Sequence, residues 1–215
     1  LDVLVGCAAR ADTRRGFLVL GKVLGKHWPV TPRQMQAVHT ELAARIPYDL
    51  PGPVVFIAMA ETAIGLGQGV FEAWKTAHPH REALFLHTTR YQVGDTPIIE
   101  FEEAHSHAPR QFLHWPDDTE LQGMWLGARS LVLIDDEAST GNTFLNLSAA
   151  CHALSPTIER VHLAAITNFM GRETNAALSE RFGLPVTVGA ALSGEYTFTP
   201  GQLQSASGAA QRFEA

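Results

Sequence analysis

Leu131-Val132-Leu133-Ile134-Asp135-Asp136-Glu137-Ala138-Ser139-Thr140-Gly141-Asn142-Thr143 is the stretch that decides the fold. Four apolar residues ending on two adjacent acids read as a strand buried on both faces, the kind found in parallel sheets. Small hydroxyl residues and Gly141 then read as a tight loop. Thr143, Phe144, Leu147 and Cys151 continue at helical spacing. Backbone N–H groups of such a loop, with the N-terminus of the helix behind it, form an anion cradle. Ser139, Thr140 and Thr143 add hydroxyl donors, and Gly141 permits positive φ or a close backbone approach. Asp135 and Asp136 would repel a phosphate. They suit the hydroxyls of a sugar attached to it, or a hydrated Mg²⁺.

Outward from this stretch, the chain alternates strand and helix signals. Residues 17–24 read as an early strand or turn. Thr31-Pro32 reads as an N-cap with proline at the first helical position, and Met35, Val38, Leu42 and Ile46 extend a helix over 32–46, ended by Pro47. Pro53–Ala58 is a continuous apolar run, followed by Met59–Gly65 and a helical pattern to about Thr76. Ala83–His87 is the next strand. Residues 90–120 are polar, with weak periodicity, and read as a long irregular functional segment. Val161–Ile166 is a strand, 172–182 a helix and Pro185–Val188 a strand. The alternation implies an α/β fold with a parallel sheet and right-handed crossovers. Ligands in such sheets bind beyond the carboxyl ends of the strands, here just after Ala58, His87, Asp135 and Ile166.

Composition narrows the function classes. The 215 residues suggest about 1.4 domains on length alone, best met by one α/β domain with insertions. Apolar residues make up 46% and charged residues 18%, as expected of a globular chain. No apolar run is long enough to span a membrane. The start, Leu1–Val5, lacks a basic region before an apolar core, which argues against a secretory signal, and it lacks Met, as in a trimmed or processed chain. The net charge of −6 disfavours nucleic acid as the main ligand. Cys7 and Cys151 cannot supply a disulfide framework or a thiolate zinc site, so a reducing cytoplasm is expected. Residues 202–215 read as a loose tail. Gly65-Leu66-Gly67-Gln68-Gly69 is not a dinucleotide fingerprint, and no Walker A loop occurs.

Other segments supply candidate partners for the cradle. Ala60-Glu61-Thr62 follows a strand with small residues and leads into a helix, as an anion loop would; the alternative is an ordinary helix start. Arg90 follows the strand 83–87 and can clamp a pyrophosphate bidentately, or lie on the surface. Glu100–His107 contains His105 and His107, which can donate protons, or can form a solvated polar hairpin. Those histidines with Glu102 and Glu103 also admit a transition-metal reading. Asn168-Phe169 follows the strand 161–166. Phe169 can stack on a ring or join the core. Lys22 and Lys26 flank Gly25 near the N-terminus and can meet an anion or be solvated.

The acidic motif resembles the phosphoribosyl pyrophosphate (PRPP) motif of type I phosphoribosyltransferases. It departs from the general pattern at Glu137 and Ala138. Together with 16–27, 60–67, 86–91 and 101–107 it resembles a narrower group, the orotate phosphoribosyltransferase-like enzyme encoded in tellurium-resistance and stress gene clusters, in which Glu137 is a family feature. The likeness covers roughly residues 16–198. Members often carry a further C-terminal domain, so the chain is expected to be a truncated or a short member.

The resemblance implies a type I phosphoribosyltransferase-like (Rossmann-like) parallel sheet flanked by helices. It implies one domain over 1–200 with a small hood from about 16–31 and 190–200, and a tail over 201–215. It implies transfer of 5-phosphoribosyl from PRPP to a nucleobase or base-like acceptor, with Mg²⁺ as cofactor and pyrophosphate released; the alternative is a regulatory PRPP or nucleotide binder without chemistry. Asp135 and Asp136 would hold the ribose and, directly or through water, the Mg²⁺. Glu137, Ala138, Ser139, Thr140, Gly141, Asn142 and Thr143 would hold the 5′-phosphate. Ala60, Glu61, Thr62 and Arg90 would hold pyrophosphate, with His105 or His107 on a closing loop. Lys22 and Lys26 would belong to the hood, and Asn168 and Phe169 would meet the base. A cytoplasmic homodimer with small-molecule partners is expected by analogy.

Overall fold

Residues 4–9, 17–26, 28–94, 98–102 and 110–196 are described by the computed structural model. In chain order the elements are β1 (Val5–Ala9), β2 (Phe17–Gly21), α1 (Pro32–Ala44), β3 (Val54–Ala58), α2 (Ile64–Ala77), β4 (Ala83–Thr89), β5 (Ile98–Glu102) and β6 (Arg110–His114). They continue with α3 (Thr119–Leu126), β7 (Ser130–Ala138), α4 (Asn142–Leu154), β8 (Arg160–Asn168), α5 (Gly171–Ala176), α6 (Leu178–Phe182) and β9 (Val186–Ser193).

β3 sits in the middle of a seven-stranded sheet of order β5-β6-β4-β3-β7-β8-β9. Its five residues, Val-Val-Phe-Ile-Ala, are all buried, as a strand covered on both faces must be. The side chains divide by the period-two rule. Val54 and Phe56 join Val132, Ile134, Ala164 and Ile166 beneath α1 and α2. Val55 and Ile57 join Leu131, Leu133 and Leu163 on the other face, with Trp125, Phe144 and Leu147 from α3 and α4. Two apolar layers thus lie on either side of one sheet.

Local sequence places the helices. Thr31 caps α1 through a reciprocal box with Gln34, and Pro32 opens it. Asp118 caps α3 by accepting from the N–H groups of Glu120 and Leu121. In α2, Gly67 lets the helix settle on β3, because a Cβ there would lie 2.4 Å from the Ala58 Cβ.

The five strands from β4 through β3, β7 and β8 to β9 are parallel, as the alternation of elements implies. β6 runs antiparallel to both β4 and β5, so the sheet is mixed at that edge. β1 and β2 form a separate antiparallel pair. The expectation of an irregular 90–120 is corrected here, since β5 and β6 fall within it and α3 begins at its end. Two of the buried side chains of β6 are Gln111 and Leu113, so a polar residue points inward and hides the alternation. The expected helix 172–182 breaks at Ala177 into α5 and α6. Beyond the break Leu178 enters the core and Arg181 reaches back to the β7–α4 loop. The tail 201–215 lies outside the described residues. Among the described residues no helix is long and apolar enough to cross a membrane.

Candidate functional site

Ala58 is paired with His87 on one side and Ile134 on the other, so β3, β4 and β7 end at a common edge. β8 continues the edge, with Ala138 paired to Asn168. Four of the segments singled out in the sequence, 60–62, 88–91, 135–143 and 168–169, therefore leave the sheet side by side.

The β7–α4 loop carries the acidic motif. Asp135, Asp136 and Glu137 are half-buried at the strand end, and Ala138 is buried. An Asp135 carboxylate oxygen accepts the Asp136 N–H at 2.9 Å, which fixes that side chain along the rim. Gly141 is the N-cap of α4 at φ 73° and ψ 1°, a left-handed conformation that glycine adopts without a Cβ clash. A Cβ there would also lie 3.0 Å from the Met170 sulfur. The Thr140 hydroxyl accepts the Asn142 N–H at 3.3 Å. Ser139 and Thr143 are half-buried in the same loop and first turn.

The β3–α2 loop is held from beneath. The Ala60 N–H donates to the Thr88 hydroxyl at 2.7 Å, and that hydroxyl donates to Gln111 Oε1 at 2.7 Å. Thr88 is 0% and Gln111 1% exposed, so the relay is dry. Arg90 Nη2 donates to the Ala60 carbonyl at 3.1 Å. Both backbone groups of Ala60 are thus engaged by β4 and its continuation. The Ala60–Glu61 peptide bond is cis. Glu61 is exposed and Thr62 half-buried at the rim. Lys26 lies 4.0 Å from the Glu61 carboxylate, which brings the segment after β2 against this loop. Lys22 holds its ammonium 5.4 Å from the Trp28 ring centroid.

Beyond β8, the Phe169 N–H donates to the Ala138 carbonyl at 2.8 Å, so its ring starts one strand away from the acidic motif. Phe169 is half-buried and meets Tyr196 edge to face at 5.2 Å. Its ring stands at the sheet edge rather than in the core. Asn168 is buried. Its amide donates to Asn175 Oδ1 at 2.9 Å and accepts the Met170 N–H at 3.1 Å, so at least part of its bonding capacity locks the turn. His105 and His107, with Glu103, lie outside the described residues. Their segment departs from Glu102, whose carbonyl accepts from Asn146 of α4 at 2.8 Å.

Sequence reading missed three supports: Gln111, Arg181 and Tyr196. Gln111 was detectable only as a polar residue in a strand with no alternation to flag it. Arg181 and Tyr196 carry no local signal, since each acts on a segment distant in sequence. The groups with resolved titration shifts at His162 and Cys151 lie in the packed layers. Burial pushes the Cys151 thiol up, which keeps it a protonated core side chain and not a nucleophile. Burial lowers His162 to about 4, leaving it neutral beneath α1 with Nδ1 2.8 Å from the Thr187 hydroxyl.

Among the described residues no three His, Cys, Asp or Glu side chains are grouped to hold a metal by themselves. Among the carboxylates at the rim, those of Asp135 and Asp136 stand together at the end of β7. Hard oxygens in that small number fit Mg²⁺, which keeps waters and takes the rest of its shell from substrate oxygens.

Comparison with known proteins agrees with this arrangement. The phosphoribosyl transferase family model matches residues 4–195. No curated protein matches the chain. Similar solved folds include the adenine phosphoribosyltransferase of Leishmania donovani, at 12% identity and a TM-score of 0.60, covering 94% of this chain and 88% of that one. The adenine phosphoribosyltransferase of Trypanosoma brucei, in complex with AMP, pyrophosphate and ribose-5-phosphate, gives 12% identity and 0.57 over the same shares. The APRTase of Giardia lamblia with 9-deazaadenine gives 14% and 0.56, covering 91% of this chain and 96% of that one. These likenesses concern the fold. With the family match spanning nearly all the described residues, the chain belongs to the phosphoribosyl transferase family, enzymes of the glycosyltransferase class.

Proposed function

We propose that the protein transfers the 5-phosphoribosyl group of PRPP, with Mg²⁺, to a nucleobase or base-like acceptor and releases pyrophosphate. The observation that carries this reading is the shared register of β3, β4 and β7, which sets the 60–62 loop, Arg90 and the acidic cradle on one edge. Fold relatives bound to AMP, pyrophosphate and ribose-5-phosphate, or to 9-deazaadenine, support the substrate classes.

In this reading the bond from the anomeric carbon to pyrophosphate breaks and a bond to an acceptor nitrogen forms, through an oxocarbenium-like transition state. The Asp135 and Asp136 carboxylates accept from ribose hydroxyls and favour the positive charge that develops on the ring. Residues 137–143 hold the 5′-phosphate through backbone N–H groups and hydroxyls. Ala60, Glu61 and Thr62 meet the pyrophosphate, and the Arg90 guanidinium adds charge where the leaving group departs. Asp135 and Asp136 would hold Mg²⁺, directly or through water, and it would supply charge neutralisation on the leaving oxygens. Phe169 stacks on the acceptor ring, with Asn168 beside it. Lys22 and Lys26, in a hood formed by 16–31 and 190–200, cover the site. His105 or His107 donates to a departing oxygen or a base nitrogen.

The same reading includes a single domain over 1–200, a cytoplasmic homodimer and kinship with the orotate phosphoribosyltransferase-like enzyme of tellurium-resistance and stress gene clusters. The test is a calorimetric titration with PRPP and Mg²⁺, followed by a screen of bases for pyrophosphate release. Asp135→Asn with Asp136→Asn is expected to lower turnover at least tenfold while circular dichroism stays unchanged. Near-normal turnover in the double variant, or no PRPP binding by folded wild type, rejects the assignment.

A further inference from the structure

α6 is a five-residue helix, yet it sends one side chain into the β7–α4 loop. Arg181 Nη1 donates to the Thr140 carbonyl at 3.1 Å, and Nη2 donates to Asn142 Oδ1 at 2.6 Å. Between those two residues lies Gly141 in its left-handed conformation, where a Cβ would sit 3.8 Å from Nη1. The guanidinium therefore braces both sides of the turn from behind.

The bracing has a directional consequence. In a trans peptide the C=O and N–H point opposite ways. With the Thr140 carbonyl turned onto Arg181, the N–H of Gly141 is turned away from it, towards the opposite side of the loop. That N–H belongs to the set of donors that makes such a loop an anion cradle. A planar fork is needed for the task. Two acceptors on different residues are reached by two nitrogens of one rigid group, which an ammonium on a flexible stem cannot reproduce.

We propose that Arg181 is a positioning residue for the cradle, aiming the Thr140–Gly141 peptide at the 5′-phosphate of a phosphorylated ribose. This rests on the assignment of 137–143 to the 5′-phosphate. Arg181 acts on the ligand through the loop.

The test titrates the full chain, with Mg²⁺ present, against ribose 5-phosphate and against pyrophosphate in separate experiments. Arg181→Gln is expected to weaken ribose 5-phosphate about tenfold, the scale of one lost charge-assisted hydrogen bond, and to leave pyrophosphate within about twofold. Arg181→Lys keeps the charge and is expected to recover less than half of the loss. Equal weakening of both ligands would mean a general structural role and overturn the proposal. Unchanged ribose 5-phosphate binding, or full recovery by Arg181→Lys, would overturn it too. Wild-type protein that binds pyrophosphate but not ribose 5-phosphate would overturn the cradle assignment itself, and the proposal with it. Should Arg181→Gln fail to fold, Arg181→Lys and Asn142→Ala carry the test. Asn142→Ala removes one arm of the brace and is expected to cost ribose 5-phosphate about threefold, and an unchanged affinity there would count against the brace.

Discussion

The loop at 60–62 and the loop at 139–143 leave neighbouring strands at the same edge, and they are held by opposite means. Beneath Ala60 runs a buried neutral relay, from backbone N–H to the Thr88 hydroxyl to the Gln111 amide. Behind Gly141 stands a half-buried cation that grips the loop from a short helix nearly forty residues away. A dry relay of neutral groups is insensitive to salt, and every member becomes costly if its partner is lost. A rim cation can be removed with the loop still solvated, so its loss should appear in ligand geometry before it appears in folding. The two loops teach that a shared strand edge does not imply a shared kind of support.

Breaking the dry relay should have the largest effect. Thr88→Val keeps the shape, takes the acceptor from the buried Ala60 N–H and takes one donor from Gln111 Oε1, so a loss of about 3 kcal/mol in stability is expected, at about 1–3 kcal/mol for the orphaned N–H and about 1 kcal/mol for the second bond. Chemical denaturation measures it. Thr88→Ser keeps the hydroxyl and should retain most of the stability; a loss as large as in Thr88→Val would show that the relay is not the cause.

Acid gives a second, smaller handle. The native-state value of His162 lies near 4 against 6.5 for the free side chain, so the unfolded chain takes up the proton first as pH falls. Stability from this group is full above about pH 6.5 and declines as pH drops towards 4. Between pH 7 and pH 5 the decline should be about 2 kcal/mol, at about 1.4 kcal/mol per unit. Thr88 has no ionisable group, and the Arg181 hydrogen bonds lie on the β7–α4 loop. The decline should therefore be the same in Thr88→Val and in Arg181→Gln, and in a folded His162→Gln variant it should shrink to the part left by His39, which burial also holds below the usual imidazole value. A pH slope that changed with either loop variant would couple the loops to the layer beneath α1.

The smallest expected change concerns Lys26 and Glu61. Their side chains are 39% and 61% exposed and 4.0 Å apart, so Lys26→Met should alter stability by less than about 0.5 kcal/mol at 0.15 M salt. A larger change in the denaturation midpoint would mean that the segment after β2 supports the 60–62 loop structurally.

How much was legible in the sequence follows the same division. β3, β4, β7 and β8 were readable because each is a contiguous apolar run, and the cradle was readable because its acids, hydroxyls and glycine are adjacent in the chain. Thr88 stands two residues before Arg90 in the chain, but its role beneath Ala60 depends on a register of β3 against β4 that periodicity does not give. Gln111 was hidden by the inward polar position that breaks the alternation of β6. Arg181 sits past a helix break at Ala177 that has no Gly or Pro to mark it. Contacts that cross from one element to another are written in no single window of sequence.

Ala58, where β3 is paired on both sides, has a metrical consequence. The strands that carry the two loops lie one step apart, roughly 4.8 Å, and β7 runs on through Asp135–Ala138 past the partner of Ala58 before its loop begins, an offset set by main-chain hydrogen bonds between strands. If the two loops grip the two anionic ends of one substrate, the sheet itself is the gauge that measures it. Side-chain replacement can change how firmly each end is gripped, but not the distance between the grips. Descendants of this chain that accept a longer or shorter doubly charged ligand would have to alter loop length, because the gauge is cut into the backbone and is beyond the reach of point substitution.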